Sequence, residues 1–180
     1  MTLVLVTGGV VLAGGLAVLY NRLVGARLRA REAWSVIDVQ LQRRASLIPN
    51  LLEVVRGYAA YERETLQRII DARGAIGGET RPSAAARAND DLTGALRTLF
   101  ALAEAYPDLK ANEQFLRLQR DLADTENKIA YARNYYNGAV EIYNVRVQMF
   151  PSLIVARLFR FEAAEFFQAA AGARQPARVT

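Results

Sequence analysis

The helical character of this chain is clearest in residues 33–55, which read AWSVIDVQLQRRASLIPNLLEVV. Apolar or small side chains recur there in steps of three or four residues, at Trp34, Ile37, Leu41, Ala45, Ile48, Leu52 and Val55. Side chains at this spacing lie along one face of an α-helix, and a single buried face is typical of helices in a bundle. The stretch therefore predicts a long amphipathic helix.

The same spacing extends in both directions and indicates one helix over about residues 26–73. An interior proline removes a backbone hydrogen bond and bends a helix. Because the apolar spacing resumes in phase after Pro49, we expect a kinked but continuous helix. Three glycines and Pro82 then predict a linker over about residues 75–89.

Two more helices are predicted beyond the linker. The first is expected from Asp90 or Asp91, either of which could cap it, to about Glu104. The second is expected over about residues 112–149, where Pro151 stops it. Its predicted buried positions are Phe115, Leu118, Leu122, Thr125, Ile129, Ala132, Tyr136, Val140, Tyr143 and Val147. Because no alternating strand pattern of useful length occurs, the predicted fold class is all-α, a bundle of long antiparallel helices.

The first twenty residues form an apolar segment, with no charged side chain between Thr2 and Tyr20. As a helix this segment is about 28 Å long, against about 30 Å for the hydrocarbon core of a bilayer. It predicts an uncleaved membrane anchor over residues 1–21. A secretory signal peptide is the alternative, but no positive region precedes Leu3 and no persuasive small-x-small cleavage site follows.

The flanking charges predict the orientation of the anchor. Arginines follow it at positions 22, 27, 29 and 31, whereas only the terminal amine precedes it. The positive-inside rule then places the short N-terminus outside and residues 22–168 in the cytoplasm, with residues 169–180 as a flexible tail.

Small residues recur every four positions inside the anchor, at Gly9, Ala13 and Ala17. Such a face lets two helices approach closely in lipid and could support self-association. The alternative is that Gly and Ala are simply common in membrane spans.

The composition excludes several classes of enzyme. The chain has no Cys and no His, so thiolate and imidazole metal sites, cysteine nucleophiles and Ser-His triads are excluded in their usual forms. Asp121 and Asp124 lie one helical turn apart, but nothing besides this spacing suggests that they converge on a metal. We therefore predict neither catalysis nor a cofactor. The formal charge is +5, but basic and acidic residues are interleaved, so nucleic acid is not an expected partner.

A polar stripe on the last long helix requires an explanation. Asn127, Asn134 and Glu141 recur every seven residues, and Asn137 and Asn144 do so one face over. One interpretation is a solvated face. The other places the amides at helix–helix contacts, where they fix register and partner as a buried Asn does in coiled coils. Asn is a poor helix former, which favours a structural or interface role.

A similar polar set occurs on the first helix, in which Asp38 could pair with Arg43 or Arg133 as an exposed ion pair.

The C-terminal segment is apolar. Beyond Phe150 in the sequence, its largest side chains are Phe159, Phe161, Phe166 and Phe167. It could cap the bundle, lie on the membrane surface or form a subunit contact.

Many short strings of this sequence resemble the LemA family. They are AWSVIDVQL at 33–41, LIPNL at 47–51, GYAA at 57–60, YPDLKAN at 106–112, TEN at 125–127, YN at 136–137 and 143–144, FPS at 150–152, and EFF at 165–167. The resemblance covers roughly residues 19–168. It implies a bacterial inner-membrane protein with one N-terminal span and a cytoplasmic helical bundle, and it implies no chemistry. A magnetosome membrane protein similar to this family is tied to membrane remodelling.

Together these observations predict a single-pass scaffold or interaction protein of the inner membrane, whose partners are the lipid bilayer, further copies of itself and other membrane proteins. The alternative is a membrane-shaping protein that acts through oligomers or through its amphipathic C-terminal segment.

Overall fold

Six helices occur in the part of the chain that the structure describes. The computed structural model describes residues 1–59, 62–76 and 81–168, and only the backbone of residues 2–6. The helices are α1 (Thr2–Arg56), α2 (Arg63–Ile76), α3 (Pro82–Ala103), α4 (Pro107–Lys110), α5 (Glu113–Gln148) and α6 (Ser152–Leu158). No strand occurs within these described residues. The predicted all-α fold class is thus confirmed.

The long helices α1 and α5 pack against each other in antiparallel orientation. Arg146 donates a hydrogen bond to the backbone carbonyl of Arg22 (3.0 Å), and the rings of Trp34 and Tyr136 lie 5.5 Å apart. Further along, Arg44 contacts Glu126. The helix pair α2 and α3 packs on the far half of α1, where Arg73 donates to the carbonyl of Ala45 (3.1 Å).

The predicted buried stripe of α5 is confirmed at every position, from Phe115 to Val147. On α1, the side chains of Ile37, Leu41 and Ile48 are buried against it. Asn112 caps the N-terminus of α5 by accepting a hydrogen bond from the backbone N–H of Phe115 (3.0 Å). The core is therefore formed by the predicted apolar faces.

The end of α1 differs from the prediction. The helix continues through Pro49, as expected, but it ends at Arg56 rather than near Arg73. The chain leaves the helix at Gly57, and α2 begins at Arg63. Leu66 and Ile69 are still buried because α2 returns to the same core. Their apparent continuation of the α1 spacing led to the prediction of a single helix.

The start of α3 also differs from the prediction. Pro82 is the first residue of α3, so Asp90 and Asp91 lie within the helix and are not its caps. Proline is favoured in a first helical turn because its missing N–H would be unpaired there. Three alanines in the next two turns are buried, which anchors this turn on the core. Residues 77–80 of the predicted linker lie outside the described residues, as does the predicted flexible tail, 169–180.

After α6 the chain turns back along α5. Arg160 adopts a left-handed backbone conformation (φ 54°), which glycine usually supplies at this position. The N–H of Phe161 bonds to the carbonyl of Ala156 (2.8 Å), and the N–H of Arg160 bonds to that of Arg157 (3.4 Å). This Schellman-type ending directs residues 161–168, which we call the latch segment, away from α6.

Candidate functional site

The latch segment lies against α5 and is held by side chains rather than by secondary structure. The hydroxyl of Tyr143 donates a hydrogen bond to the carbonyl of Glu162 (2.7 Å), and the hydroxyl of Tyr136 donates to the carbonyl of Glu165 (2.7 Å). Ser83 at the start of α3 adds a third contact, since its hydroxyl donates to the Glu165 carboxylate (2.7 Å). The segment is thus fastened to two helices.

Two asparagine amides complete the attachment. Asn144 accepts a hydrogen bond from the N–H of Ala164 (2.8 Å) and donates to the carbonyl of the same residue (2.9 Å). Asn137 does the same with Phe167, at 2.9 Å and 3.3 Å. Each amide therefore satisfies both backbone groups of one residue, as a neighbouring strand would.

The contacts between α5 and the latch segment repeat at different intervals on the two segments. The Tyr-Asn pairs at 136–137 and 143–144 are seven residues apart, whereas their backbone partners are three residues apart and run in the opposite direction. Seven helical residues advance about 10.5 Å. Three residues cover that distance only when they are almost fully extended. The seven-residue spacing of the Tyr-Asn pairs on α5 therefore fits an extended peptide.

Aromatic side chains seal the end of the latch. Phe167 is buried, and its ring lies 6.0 Å from that of Trp34.

Burial raises the pKa of Tyr136 to about 12, and the negative charge of Glu165 acts in the same direction. Burial also raises the pKa of Tyr143. Both phenols therefore remain protonated donors at neutral pH.

The predicted amide positions thus divide into two sets. Asn137 and Asn144 bind the latch backbone, so they hold neither a helix–helix contact nor a solvated face. Asn127, Asn134 and Glu141 are exposed on α5.

An apolar stripe lies beside these exposed side chains on α5. Its members, spaced by three and four residues, are Tyr131, Tyr135, Gly138, Ile142 and Val145, and we call them the outer stripe. Tyr131 and Tyr135 are 79% and 61% exposed, and Ile142 and Val145 are 52% and 45% exposed. The outer stripe thus has the spacing of a coiled-coil seam and lies on the surface.

A polar cluster joins α1, α3 and α5 on the other half of the bundle. The buried Arg44 guanidinium donates a hydrogen bond to the Oδ1 atom of Asn89 (2.6 Å) and forms an ion pair with Glu126. Burial lowers the pKa of Arg44, although the carboxylate of Glu126 opposes that shift. Burial raises the pKa of Asp90, and nearby Arg133 opposes that shift. The cluster links three helices, with Arg44 and Asn89 buried and the Glu126 side chain 41% exposed.

The ion pairs of these carboxylates differ from those that the sequence suggested. Asp124 pairs with Lys128 (2.8 Å) and Arg43 (3.5 Å), so it is not directed at a shared site with Asp121. Within the described ranges, Asp38 forms an ion pair with neither Arg43 nor Arg133. No group of three or more acidic side chains that could hold a metal ion is found among the described residues.

The phenylalanines of the C-terminal segment lie in different environments. Phe159 is 54% exposed and its ring lies 4.8 Å from that of Tyr20, while Phe161 lies 5.7 Å from the same ring. Phe166 is 38% exposed, and Phe167 is buried in the core. The segment therefore caps part of the bundle and leaves several apolar side chains on the surface.

The predicted anchor is the exposed first part of α1. Gly9, Ala13 and Ala17 lie on its surface, and none of the described side chains from Thr7 to Val18 is buried. Of the helices that the structure describes, α1 alone is long and apolar enough to cross a membrane.

The latch was not predicted from the sequence. Its one signal is the repeated Tyr-Asn pair, which shares a seven-residue spacing with the amide stripe. The Tyr and Asn side chains bond to backbone groups, which do not depend on residue type, so the sequence does not identify their partners.

Comparison with known proteins identifies the family. The LemA family profile matches residues 33–180. The protein LemA of Metamycoplasma hominis is 27% identical over 153 residues, covering 83% of this chain and 68% of that protein. Magnetosome protein MamQ 2 of Paramagnetospirillum magneticum is 26% identical over 175 residues, covering 83% of this chain and 64% of that protein. The family and the apolar N-terminal helix together indicate a membrane-associated helical protein. The chain belongs to the LemA family.

Proposed function

We propose that this chain is a non-catalytic scaffold of the bacterial inner membrane, anchored by one span, that self-associates and holds protein partners. The short N-terminus lies outside and the bundle lies in the cytoplasm. The continuity of α1 supports this proposal, because one helix forms both the exposed apolar segment and the buried core face from Ile37 to Val55. Anchor and bundle are therefore rigidly coupled.

The observation that carries self-association is the outer stripe. Large apolar side chains in heptad-like spacing are typical of a helix that packs against another helix. Copies anchored in one membrane share one orientation. A two-fold axis along the membrane normal therefore brings the outer stripes of two copies together as parallel helices. Asn134 and Glu141 then lie at the rim of the contact.

Gly138 supports the same arrangement. It lies at the middle of the outer stripe, and a Cβ atom at this position would meet nothing within 4 Å. A glycine inside a helix costs about 1 kcal/mol relative to alanine. Because packing within the chain does not require this glycine, a close approach by a second helix explains its presence.

Single-cysteine variants test the contact, since the natural chain has no Cys. We expect Ile142→Cys in reconstituted vesicles to form a disulfide-linked dimer on oxidation, and Arg97→Cys on the exposed face of α3 to form no disulfide. The mass of the detergent-solubilised protein is the independent measurement. A strictly monomeric mass together with no cross-link at Ile142→Cys rejects self-association through this face.

Sidedness requires a separate experiment. A membrane-impermeant thiol reagent should label a cysteine introduced near the C-terminus only after the cells are opened. Labelling from outside intact cells refutes the proposed orientation, whatever the oligomeric state.

Membrane shaping is a second candidate function. Its support is the similarity to magnetosome proteins together with the exposed apolar side chains of α6, of which Leu158 is 69% exposed. Tubulation of liposomes by the purified protein would favour it, and unchanged spherical vesicles at high protein density would exclude it.

A further inference from the structure

Large apolar side chains are exposed at the base of the bundle. The base is the end at which the apolar first part of α1 enters the bundle. We define the base as residues 18–31 of α1 together with residues 146–160. Its exposed apolar members lie on and around α6, where Phe150 is 77%, Leu158 69%, Met149 58% and Ile154 56% exposed. A patch of this kind marks an interaction surface rather than ordinary solvent contact.

The base lies at the height where the chain leaves the predicted span. The inner side of α6, Val155 and Ala156, packs with Leu23 and Ala26 of α1, and Leu19 lies against the same cluster. The ring of Tyr20 contacts that of Phe159 at 4.8 Å. The outer side of α6 therefore lies level with the last residues of the span, where the headgroups of a bilayer begin.

The charge of the base is as distinctive as its apolar surface. The two ranges of the base, 18–31 and 146–160, contain seven arginines and none of the 18 acidic residues of the chain. The rest of the chain keeps 16 basic and 18 acidic residues, a formal charge of −2, although the whole chain carries +5. The positive charge of this protein is thus concentrated at the base.

Three of these arginines share one cleft. Arg22, Arg29 and Arg146 line it together with Val18, Leu19 and Phe150. Arg146 is fixed in place because it donates to the carbonyl of Arg22 (3.0 Å). The cleft combines guanidinium groups that suit a phosphate with an apolar wall that continues along α1 toward the span.

We propose that the base of the bundle docks on the anionic phospholipid headgroups of the membrane, with α6 lying in the interface and the arginine cleft holding a lipid phosphate. The exposed apolar side chains on and around α6, with Arg157 and Arg160 beside them, suit that boundary, and anionic lipid attracts clustered arginines. The proposal rests on the membrane anchor of the proposed function. The docking adds a direct contact between the bundle and the bilayer surface to the connection through α1.

Spin labels on single cysteines test the docking in full-length protein reconstituted in vesicles of phosphatidylcholine and phosphatidylglycerol. The labelled sites are Leu158→Cys and Phe150→Cys at the base, Val11→Cys in the anchor and Arg97→Cys on α3. Accessibility to oxygen, which dissolves in lipid, is compared with accessibility to a water-soluble nickel chelate. We expect oxygen to dominate at residues 11, 150 and 158, and the chelate to dominate at residue 97.

The other outcomes separate this proposal from the proposed function. If residues 150 and 158 behave like residue 97 while residue 11 stays in lipid, the docking is overturned and the anchor stands. If residue 11 is reached by the chelate, the anchor itself fails, and the docking fails with it. If residues 150 and 158 are shielded from both reagents, the base contacts protein, and the docking is overturned.

A charge comparison tests the headgroup specificity. Removing phosphatidylglycerol should reduce the oxygen preference at residue 158 at least twofold, as should Arg29→Gln combined with Arg157→Gln, both of which are exposed positions. The control pair is Arg97→Gln with Arg117→Gln, which removes the same charge from exposed positions far from the base. Equal values for both pairs and both lipid mixtures overturn the role of anionic lipid.

Discussion

Asn137 and Phe167 exchange two hydrogen bonds, although thirty residues separate them. The side-chain amide of Asn137 accepts from the N–H of Phe167 (2.9 Å) and donates to its carbonyl (3.3 Å). Because the donor and the acceptor of the amide both face the same residue, only a side chain that carries both groups can hold the segment in this way. Asn144 repeats this arrangement with Ala164.

The first prediction concerns this amide. Asn137→Asp keeps the shape of the side chain but removes its donor and places a carboxylate against the carbonyl of Phe167. We expect the free energy of unfolding to fall by about 1–3 kcal/mol. Chemical denaturation in detergent measures the loss, and the fluorescence of Trp34, the single tryptophan, reports release of the neighbouring Phe167 ring. The matched control is Asn134→Asp on the exposed face of the same helix, which should change little. Equal losses in both variants would contradict the latch.

The second prediction concerns alkaline pH. The pKa of Tyr136 is raised from 10.0 to about 12 in the folded chain by burial, so the unfolded chain loses the phenol proton first. The stability that depends on this proton is complete below pH 10 and is lost as the pH rises through the folded value. Since one pKa unit is equivalent to about 1.4 kcal/mol, the loss is about 3 kcal/mol. Unfolding free energies across this range measure it. Tyr136→Phe should start less stable and show a flatter alkaline decline, whereas an equally steep decline would refute the assignment.

The third prediction separates a buried arginine from an exposed neighbour. Arg44→Ala leaves the buried Asn89 without its partner and should cost about 2–4 kcal/mol of unfolding free energy. Arg43→Ala removes a pair with Asp124 in which both side chains are nearly half exposed, so it should cost less than about 1 kcal/mol. Thermal or chemical denaturation monitored by circular dichroism distinguishes the two. A larger loss for Arg43→Ala would show that the cluster does not hold the helices together.

The fourth prediction has opposite signs for folding and for assembly. Gly138→Ala adds a methyl group in open space within one chain, so helix propensity should raise the unfolding free energy of the monomer by about 0.5–1 kcal/mol. The same methyl should weaken a close contact between outer stripes and shift the solution mass toward monomer. Dilution series in detergent measure the second effect. Unchanged dimerisation in a stabilised variant would place the subunit contact elsewhere.

Most of the helical framework could be predicted because its signals are local. Helical spacing identified every buried position of α5, and Asn112 lies at its N-terminus as expected. The break after Arg56 could not be predicted, because Leu66 and Ile69 face the same core from a separate helix. The spacing of apolar residues indicates which residues face the core. It does not indicate whether the backbone turns between one such residue and the next.

The latch contacts and the outer stripe were less predictable than the helices. The seven-residue spacing of Asn137 and Asn144 was visible, but the partner is the backbone of Ala164 and Phe167, and any residue type offers the same N–H and carbonyl. The outer stripe and the buried stripe of α5 both have helical spacing. The buried stripe was assigned to the core from its spacing, but nothing in the sequence showed that the outer stripe beside it would stay exposed.

The sequence by itself determined the apolar N-terminal segment and the amphipathic helices, because apolarity and helical period are properties of contiguous residues. The tertiary structure alone decided that Arg146, from the end of α5, joins Arg22 and Arg29 in one cleft, and that residues 161–168 lie extended along α5. The cleft joins residues that are more than a hundred positions apart in the sequence, and the latch contacts join residues at least nineteen positions apart. The distances between such segments are set only when the helices pack.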